Sequence, residues 1–344
     1  MKRIAIEEHY LSQNYLSYLR SRKAYPRIEI VEDDNHRRFE QVCYSPVRIR
    51  PRYLDLVSKL ADLGEGRLSE MDAAGISMQV LSLASGGIDM LEESEAISIS
   101  RKTNDELSGV VKKCPDRYAG LATLARHDPT EAARELERAV KELGLKGASV
   151  DSHFRGEYLD NEKYSVILEM AQKLDVPIYI HPREPSPDMR KPYMDYPILA
   201  RAMWGFAAET GLHAMRLICS GVFDRYPGLK IILGHMGEAL PFWLWRLDDI
   251  WLHGEVVSGQ QGGKLEKLPS QYIKDNFFVT TSGMCWYPAL LCAYLGLGAD
   301  KILFAVDYPF QSNNESVGFM DTASICDSDK EKIYHSNAER LLTL

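Results

Sequence analysis

Eight short β-rich runs alternate with helical stretches from one end of this 344-residue chain to the other, and this alternation restricts the fold more than any other feature. The runs cover 3–9, 78–83, 118–123, 146–150, 177–181, 230–235, 277–281 and 301–307. Between them apolar residues recur about every 3.6 positions, as in 53–71 (Leu54, Leu56, Val57, Leu60, Leu63), 130–143 and 161–174. A strand, a helix and a second strand bring the chain back parallel to its start. Eight such units predict closure into a (β/α)₈ TIM barrel, one α/β domain over 1–344. An open doubly wound sheet is the alternative, but no G-x-G-x-x-G follows the first run. The polar stretch at about 12–51 breaks the alternation and is too long for a plain βα loop. Insertions of this kind form lids or interfaces at the catalytic face of a barrel. A glycine-rich excursion at 253–269 is the second interruption.

A barrel carries its active site at the C-terminal ends of its strands, so the residues that end each run are informative. They are Glu7-Glu8-His9, then Asp151-Ser152-His153, His181, His235 with Glu238 just beyond, Thr280-Thr281-Ser282, and Asp307. In a barrel these groups converge on one rim. Side chains alternate along a strand, which puts Ala5, Glu7 and His9 on one face and Ile4, Ile6 and Glu8 on the other. His181 and Asp307 join Glu7 and His9 from other strands. The mixed nitrogen and oxygen set suits one Zn²⁺ or Mn²⁺ and leaves positions open. His9 alone would read as an ordinary strand-terminal histidine; its three partners favour the metal. Glu8 is expected to be solvated or ion-paired outside the barrel. His235 and Glu238 lie three apart. With a helix starting near Gly237, Glu238 can hydrogen-bond the imidazole and raise its basicity for general acid–base work. The simpler alternative makes Glu238 a carboxylate favoured in a first helical turn.

The remaining composition mainly excludes. A net charge of −8 without a lysine/arginine block argues against nucleic acid. The basic run Arg48-Ile49-Arg50-Pro51-Arg52 is short and reads as a solvated loop, or as the source of one arginine, Arg52, for a substrate carboxylate. No segment approaches the ~18 consecutive apolar residues of a membrane span. The first residues, Met1 to Glu7, are charged where a signal peptide is apolar, so a cytoplasmic location is expected. The six cysteines form no CxxC pair and read as reduced.

Several motifs make the chain recognisable: Ile6-Glu7-Glu8-His9, Met71-Asp72-Ala73-Ala74-Gly75-Ile76, Tyr179-Ile180-His181-Pro182, Gly234-His235-Met236-Gly237-Glu238, Val306-Asp307-Tyr308-Pro309 and Asn337-Ala338-Glu339-Arg340. With these the chain resembles the decarboxylase branch of the amidohydrolase superfamily, the γ-resorcylate, 2,3-dihydroxybenzoate and 5-carboxyvanillate decarboxylases. Hydrolytic members begin with His-x-His; here Glu7 takes the first histidine's place, as in the decarboxylases. The segments 240–248 and 206–217 look most like the 5-carboxyvanillate enzymes. The resemblance implies that Glu7, His181 and Asp307 are metal ligands. His9 matches a ligand of γ-resorcylate-type members, whereas other branches carry alanine there. His235 and Glu238 match the catalytic pair. Arg246 resembles an arginine that reaches a neighbouring subunit's site, so a homodimer or homotetramer is implied; otherwise Arg246 would pair with Asp248 or Asp249. Arg52, Phe206 and His153 complete the expected substrate-binding set.

The implied reaction is nonoxidative decarboxylation of an ortho-hydroxylated aromatic acid, with one divalent metal and no organic cofactor. The ionised ortho hydroxyl pushes electron density onto the carboxylate-bearing carbon. Asp307 protonates that carbon, and loss of CO₂ restores aromaticity. A hydrolase or hydratase would use the same metal to activate water, with Asp307 as base. A muconate-type decarboxylase is disfavoured by Glu7, and a scaffold barrel without chemistry by the full set of polar strand ends.

Overall fold

In the computed structural model the described residues are 1–33, 35–45, 55–84, 87–254 and 265–344. Strand β1 is Ile4–Tyr10, followed by an antiparallel hairpin, β2 (Arg27–Glu32) and β3 (Arg38–Cys43). The barrel continues with β4 (Met78–Leu83), β5 (Tyr118–Gly120), β6 (Ala122–Thr123), β7 (Ala148–Asp151), β8 (Ile178–His181), β9 (Ile231–Leu233), β10 (Phe277–Thr280) and β11 (Ile302–Leu303). Each pairs in parallel with its barrel neighbour. The run at 118–123 is a strand broken at Leu121, where it turns from β4 to β7: Leu121 N–H bonds Leu81 O at 2.9 Å, and Ala122 N–H bonds Gly147 O at 2.8 Å. First and last strands close the circle through Ile6 N–H to Phe304 O (3.1 Å), Asp307 N–H to Glu7 O (2.9 Å) and His9 N–H to Tyr308 O (2.8 Å). The chain is a closed (β/α)₈ barrel. Among the described residues no helix is long and apolar enough to cross a membrane.

The alternation expected along β1 does not hold throughout. Ala5 pairs with Gln79 but Glu8 pairs with Leu81, so β1 carries one extra residue and bulges between them. Ile4 and Ile6 pack inside the barrel with Val80, Tyr179, Phe278 and Leu303, whereas Ala5 and Tyr10 join the core beneath the helices. The bulge turns Glu7 inward directly after Ile6, so Ala5 does not share its face. A bulge beside a functional site re-aims a side chain in this way.

Helix breaks also depart from expectation. The span 53–71 contains two helices, Leu56–Ala61 and Glu65–Ala74. Between them the Asp62 carboxylate accepts the N–H groups of Gly64 and Arg67, which ends one helix and caps the next. The 12–51 insertion holds the helix Gln13–Ser21, capped by the Ser12 hydroxyl, and the β2–β3 hairpin. At the N-terminal end of the barrel the helix Asn337–Leu342 closes the interior with Ala338, Leu341 and Leu342. Asn337 seats it by donating to Ala299 O and Ile302 O, both at 2.8 Å.

Candidate metal centre

The inward positions at the strand ends bring four side chains together. Glu7, His9, His181 and Asp307 each offer one ligand atom, and these atoms lie within 4.8 Å of one another. His9 Nε2 is 3.1 Å from Asp307 Oδ1, and His181 Nε2 is 3.6 Å from Glu7 Oε1. The two imidazoles meet edge to face, with ring centroids 4.7 Å apart. Among the described residues, Glu7 Oε1 and His9 Nε2 are buried without a hydrogen-bond partner. Buried polar atoms are almost always partnered, and a cation between them satisfies both, so the donor set fits a divalent ion.

The electrostatics agree. Burial opposes ionisation of Glu7, but the imidazoles of His235, His181 and His9 and the Ser282 hydroxyl outweigh it and pull its pKa down to about 2. Burial, helped by His9, pushes His181 down to about 3 and keeps it neutral. An ionised carboxylate and a neutral imidazole are the ligand forms a metal needs. Burial and the Glu7 charge raise the Asp307 carboxyl, against the pull of His9 and His235.

His235 and Glu238 follow β9, and their contact is as expected, with His235 Nδ1 2.8 Å from Glu238 Oε1. The backbone beneath it is not the start of an ordinary helix. His235, Met236, Gly237, Glu238 and Ala239 all have positive φ (51°, 58°, 79°, 52° and 65°), a left-handed turn, and the right-handed helix begins only at Leu240. A β-carbon on Gly237 would also lie 2.6 Å from Val279. Burial lowers the His235 pKa, but the carboxylates of Glu238, Glu7 and Asp307 overcome it and push it up to about 10.

Glu8 is neither solvated nor ion-paired in the way the sequence suggests. It is fully buried, accepts the N–H groups of Val306 (2.9 Å) and Tyr308 (3.3 Å), and accepts from Gln79 at 3.2 Å. It therefore grips the backbone on both sides of Asp307, whose own φ is 75°. Behind it the buried Arg67 guanidinium donates to His9 O at 2.6 Å.

The expected substrate-binding residues are more scattered. His153 is buried, with Nε2 bonded to Glu184 O (3.0 Å) and Nδ1 to the Gly156 N–H (3.2 Å). Neither nitrogen is left for a ligand. Phe206 is half-buried in the first turn of the helix Gly205–Cys219. Arg246 is exposed on the helix Leu240–His253 and does not pair with its neighbours: Asp248 caps Ser270 and Asp249 faces His253. Arg52 lies outside the described residues. Sequence reasoning missed Phe310, whose ring lies 5.5 Å from that of His9, and gave no role to Tyr179. The period of two along β8 was the available signal, since it puts Tyr179 on the face of His181.

Fold and site together define an α/β barrel with a carboxylate–imidazole cluster, fit for one metal ion, at its strand ends. The amidohydrolase family model matches residues 59–344, and the chain belongs to that family. It is similar to the γ-resorcylate decarboxylase of Polaromonas sp. (strain JS666), 39% identical over 304 residues that cover 84% of this chain and 90% of that one. The crystal structure of 5-carboxyvanillate decarboxylase from Sphingomonas paucimobilis superposes with a TM-score of 0.88 at 35% identity, covering 100% of this chain and 99% of that one. A dihydroxybenzoic acid decarboxylase from Polaromonas sp. JS666, with bound manganese and the inhibitor 2-nitroresorcinol, superposes at 0.84 with 36% identity, covering 100% and 97%.

Proposed function

We propose that this chain, as one domain over 1–344, is a metal-dependent carboxy-lyase that removes CO₂ without oxidation from an ortho-hydroxylated aromatic acid. The observation that carries this reading is the convergence of Glu7, His9, His181 and Asp307, with two orphaned ligand atoms, beside the His235–Glu238 pair. The relatives' activities and the manganese of the Polaromonas structure support it.

Glu7, His9, His181 and Asp307 would hold one Mn²⁺ or Zn²⁺, and no organic cofactor is needed. The ion supplies Lewis acidity and a template for the substrate's oxygens. Asp307 takes the proton released by the ortho phenol and delivers it to the ring carbon bearing the carboxylate. The carbon–carbon bond then breaks, its electron pair returns to the ring, and CO₂ leaves. Asp307 can donate to carbon because it first accepts the proton that the phenol gives up. His235, held by Glu238, donates a hydrogen bond to the substrate's phenolate or carboxylate oxygen. Phe206 and Arg52 would contact the ring and its substituents, whereas the two backbone bonds of His153 make it a support.

Arg246 would act on a neighbouring subunit. Its helix also exposes Phe242, Trp243 and Trp245 (73%, 45% and 75% accessible). An apolar face of this kind is normally covered by a partner, and a homodimer or a homotetramer built from it brings Arg246 to the second site.

The deciding experiment incubates metal-loaded protein with γ-resorcylate, 2,3-dihydroxybenzoate and 5-carboxyvanillate and follows each by UV absorbance and mass. One of them should yield a product lighter by CO₂, carrying a single deuterium at the vacated carbon in heavy water. A product heavier by one water would replace this reading with a hydrolase or hydratase.

A further inference from the structure

One oxygen of Glu7 faces the cluster; the other is enclosed by hydroxyl groups. Tyr179 and Ser282 donate directly to Glu7 Oε2 in short hydrogen bonds, and Thr280 Oγ1 lies 3.2 Å from it. Each hydroxyl has one proton, so the bonds can be followed as a chain. Thr280 Oγ1 is 2.8 Å from Ser282 Oγ and can donate to it while Ser282 donates to Glu7. Ser282 Oγ also accepts the His235 N–H at 3.2 Å. All three hydroxyls are buried, with accessibilities of 0–2%. A β-carbon on Gly234 would sit 2.9 Å from Glu7 Oε2 and 3.1 Å from the Tyr179 hydroxyl, so that side of the clamp needs glycine.

We propose that Tyr179, Ser282 and Thr280 are positioning residues that saturate Glu7 Oε2 and so present Oε1 alone to the metal. Ser282 ties this ligand to the backbone of His235, so one serine links the carboxylate that would hold the ion to the acid–base pair. The inference rests on the metal reading of the site. Three facts support it: among the described residues Oε2 is enclosed by three hydroxyls and Oε1 accepts from none, and the hydroxyls come from β8 and the end of β10 rather than from β1 itself. Partners that orient a ligating carboxylate change metal affinity by about 10–100-fold when removed.

The test measures Mn²⁺ affinity by titration of metal-free protein, with the unfolding temperature of the metal-free form alongside. Tyr179→Phe and Ser282→Ala should each weaken Mn²⁺ binding by about 10–100-fold. Loss of one hydrogen bond from a chain of this size should lower the metal-free Tm by only about 1–2 °C. Thr280→Ser keeps the hydroxyl and should bind like wild type, whereas Thr280→Val should not. This pair keeps the test decisive if Tyr179→Phe fails to fold. Wild-type Mn²⁺ affinity in Tyr179→Phe, Ser282→Ala and Thr280→Val would overturn the clamp, as would a fall in Tm without a change in affinity. A wild-type protein that binds no divalent ion would instead overturn the metal reading beneath it.

Discussion

The two ends of the barrel are made from the same strands and have opposite chemistry. At the N-terminal end Ile4, Val80, Ile232, Phe278 and Leu303 meet the apolar face of the helix Asn337–Leu342. At the C-terminal end the inward positions become Glu7, His9, His181, Thr280, Ser282 and Asp307, as deeply buried in several cases but polar. Burying an apolar residue is favourable, by about 1.5–3 kcal/mol for a leucine or isoleucine. Burying polar groups is not, unless each finds a partner. The lower end can therefore stabilise the fold unaided, whereas the upper end depends on hydrogen bonds and a cation.

This contrast can be broken from either end. The largest effect is expected at Asp307. Asp307→Asn keeps the shape but carries no proton, so turnover should fall by about 10²–10⁴; a metal-loaded Asn variant with near wild-type turnover would reduce Asp307 to a ligand. Leu341→Ala, at the opposite end, should cost about 2–5 kcal/mol in denaturant unfolding and leave Mn²⁺ affinity unchanged. A joint loss of affinity would mean that the two ends are coupled. Arg246→Ala should raise KM for an anionic substrate by about tenfold, with unchanged metal content, by removing one charge-assisted hydrogen bond. An active monomer in light scattering would remove the contact across subunits.

A change of pH sharpens the comparison in the helical layer. His213 accepts the Leu159 N–H at Nε2 and bonds Ser152 O through Nδ1. Burial, with Arg126 nearby, holds its pKa down at about 3. Below pH 6.5 the unfolded imidazole gains a proton that the folded one refuses until about pH 3. Its contribution is therefore complete above pH 6.5 and is lost as the pH falls through that window. His213→Gln should flatten the decline in stability between pH 6.5 and 4; an unchanged slope would assign the acid sensitivity elsewhere.

The barrel could be read from sequence because strand and helix periods differ, and the positions that end the strands brought out Glu7, His9, His181 and Asp307. What escaped depends on single-residue changes of backbone path. The extra residue in β1 leaves the composition of IAIEEHY ordinary, yet it turns Glu7 into the barrel and Glu8 onto the Asp307 backbone. The left-handed turn at 235–239 contains only one glycine, so nothing in residue type announces four non-glycine residues at positive φ. Such a conformation costs roughly 1–2 kcal/mol per non-glycine residue. Arg246 resists for another reason: a single chain does not display what faces its surface.

The Glu8 carboxylate joins residues 298 and 300 positions apart. Closing a loop of that length rather than one of ten residues costs about 3 kcal/mol more in chain entropy. It also orders events in time. On a ribosome β1 emerges before Val306 and Tyr308, and at about 5–20 residues per second these partners follow roughly 15–60 s later. Through that interval Glu7 and Glu8 are hydrated like any surface acids, and the nascent chain has Glu7 and His9, later joined by His181, but no barrel to enclose them. The seam, and with it the site, is completed only when residues 306–308 have been translated.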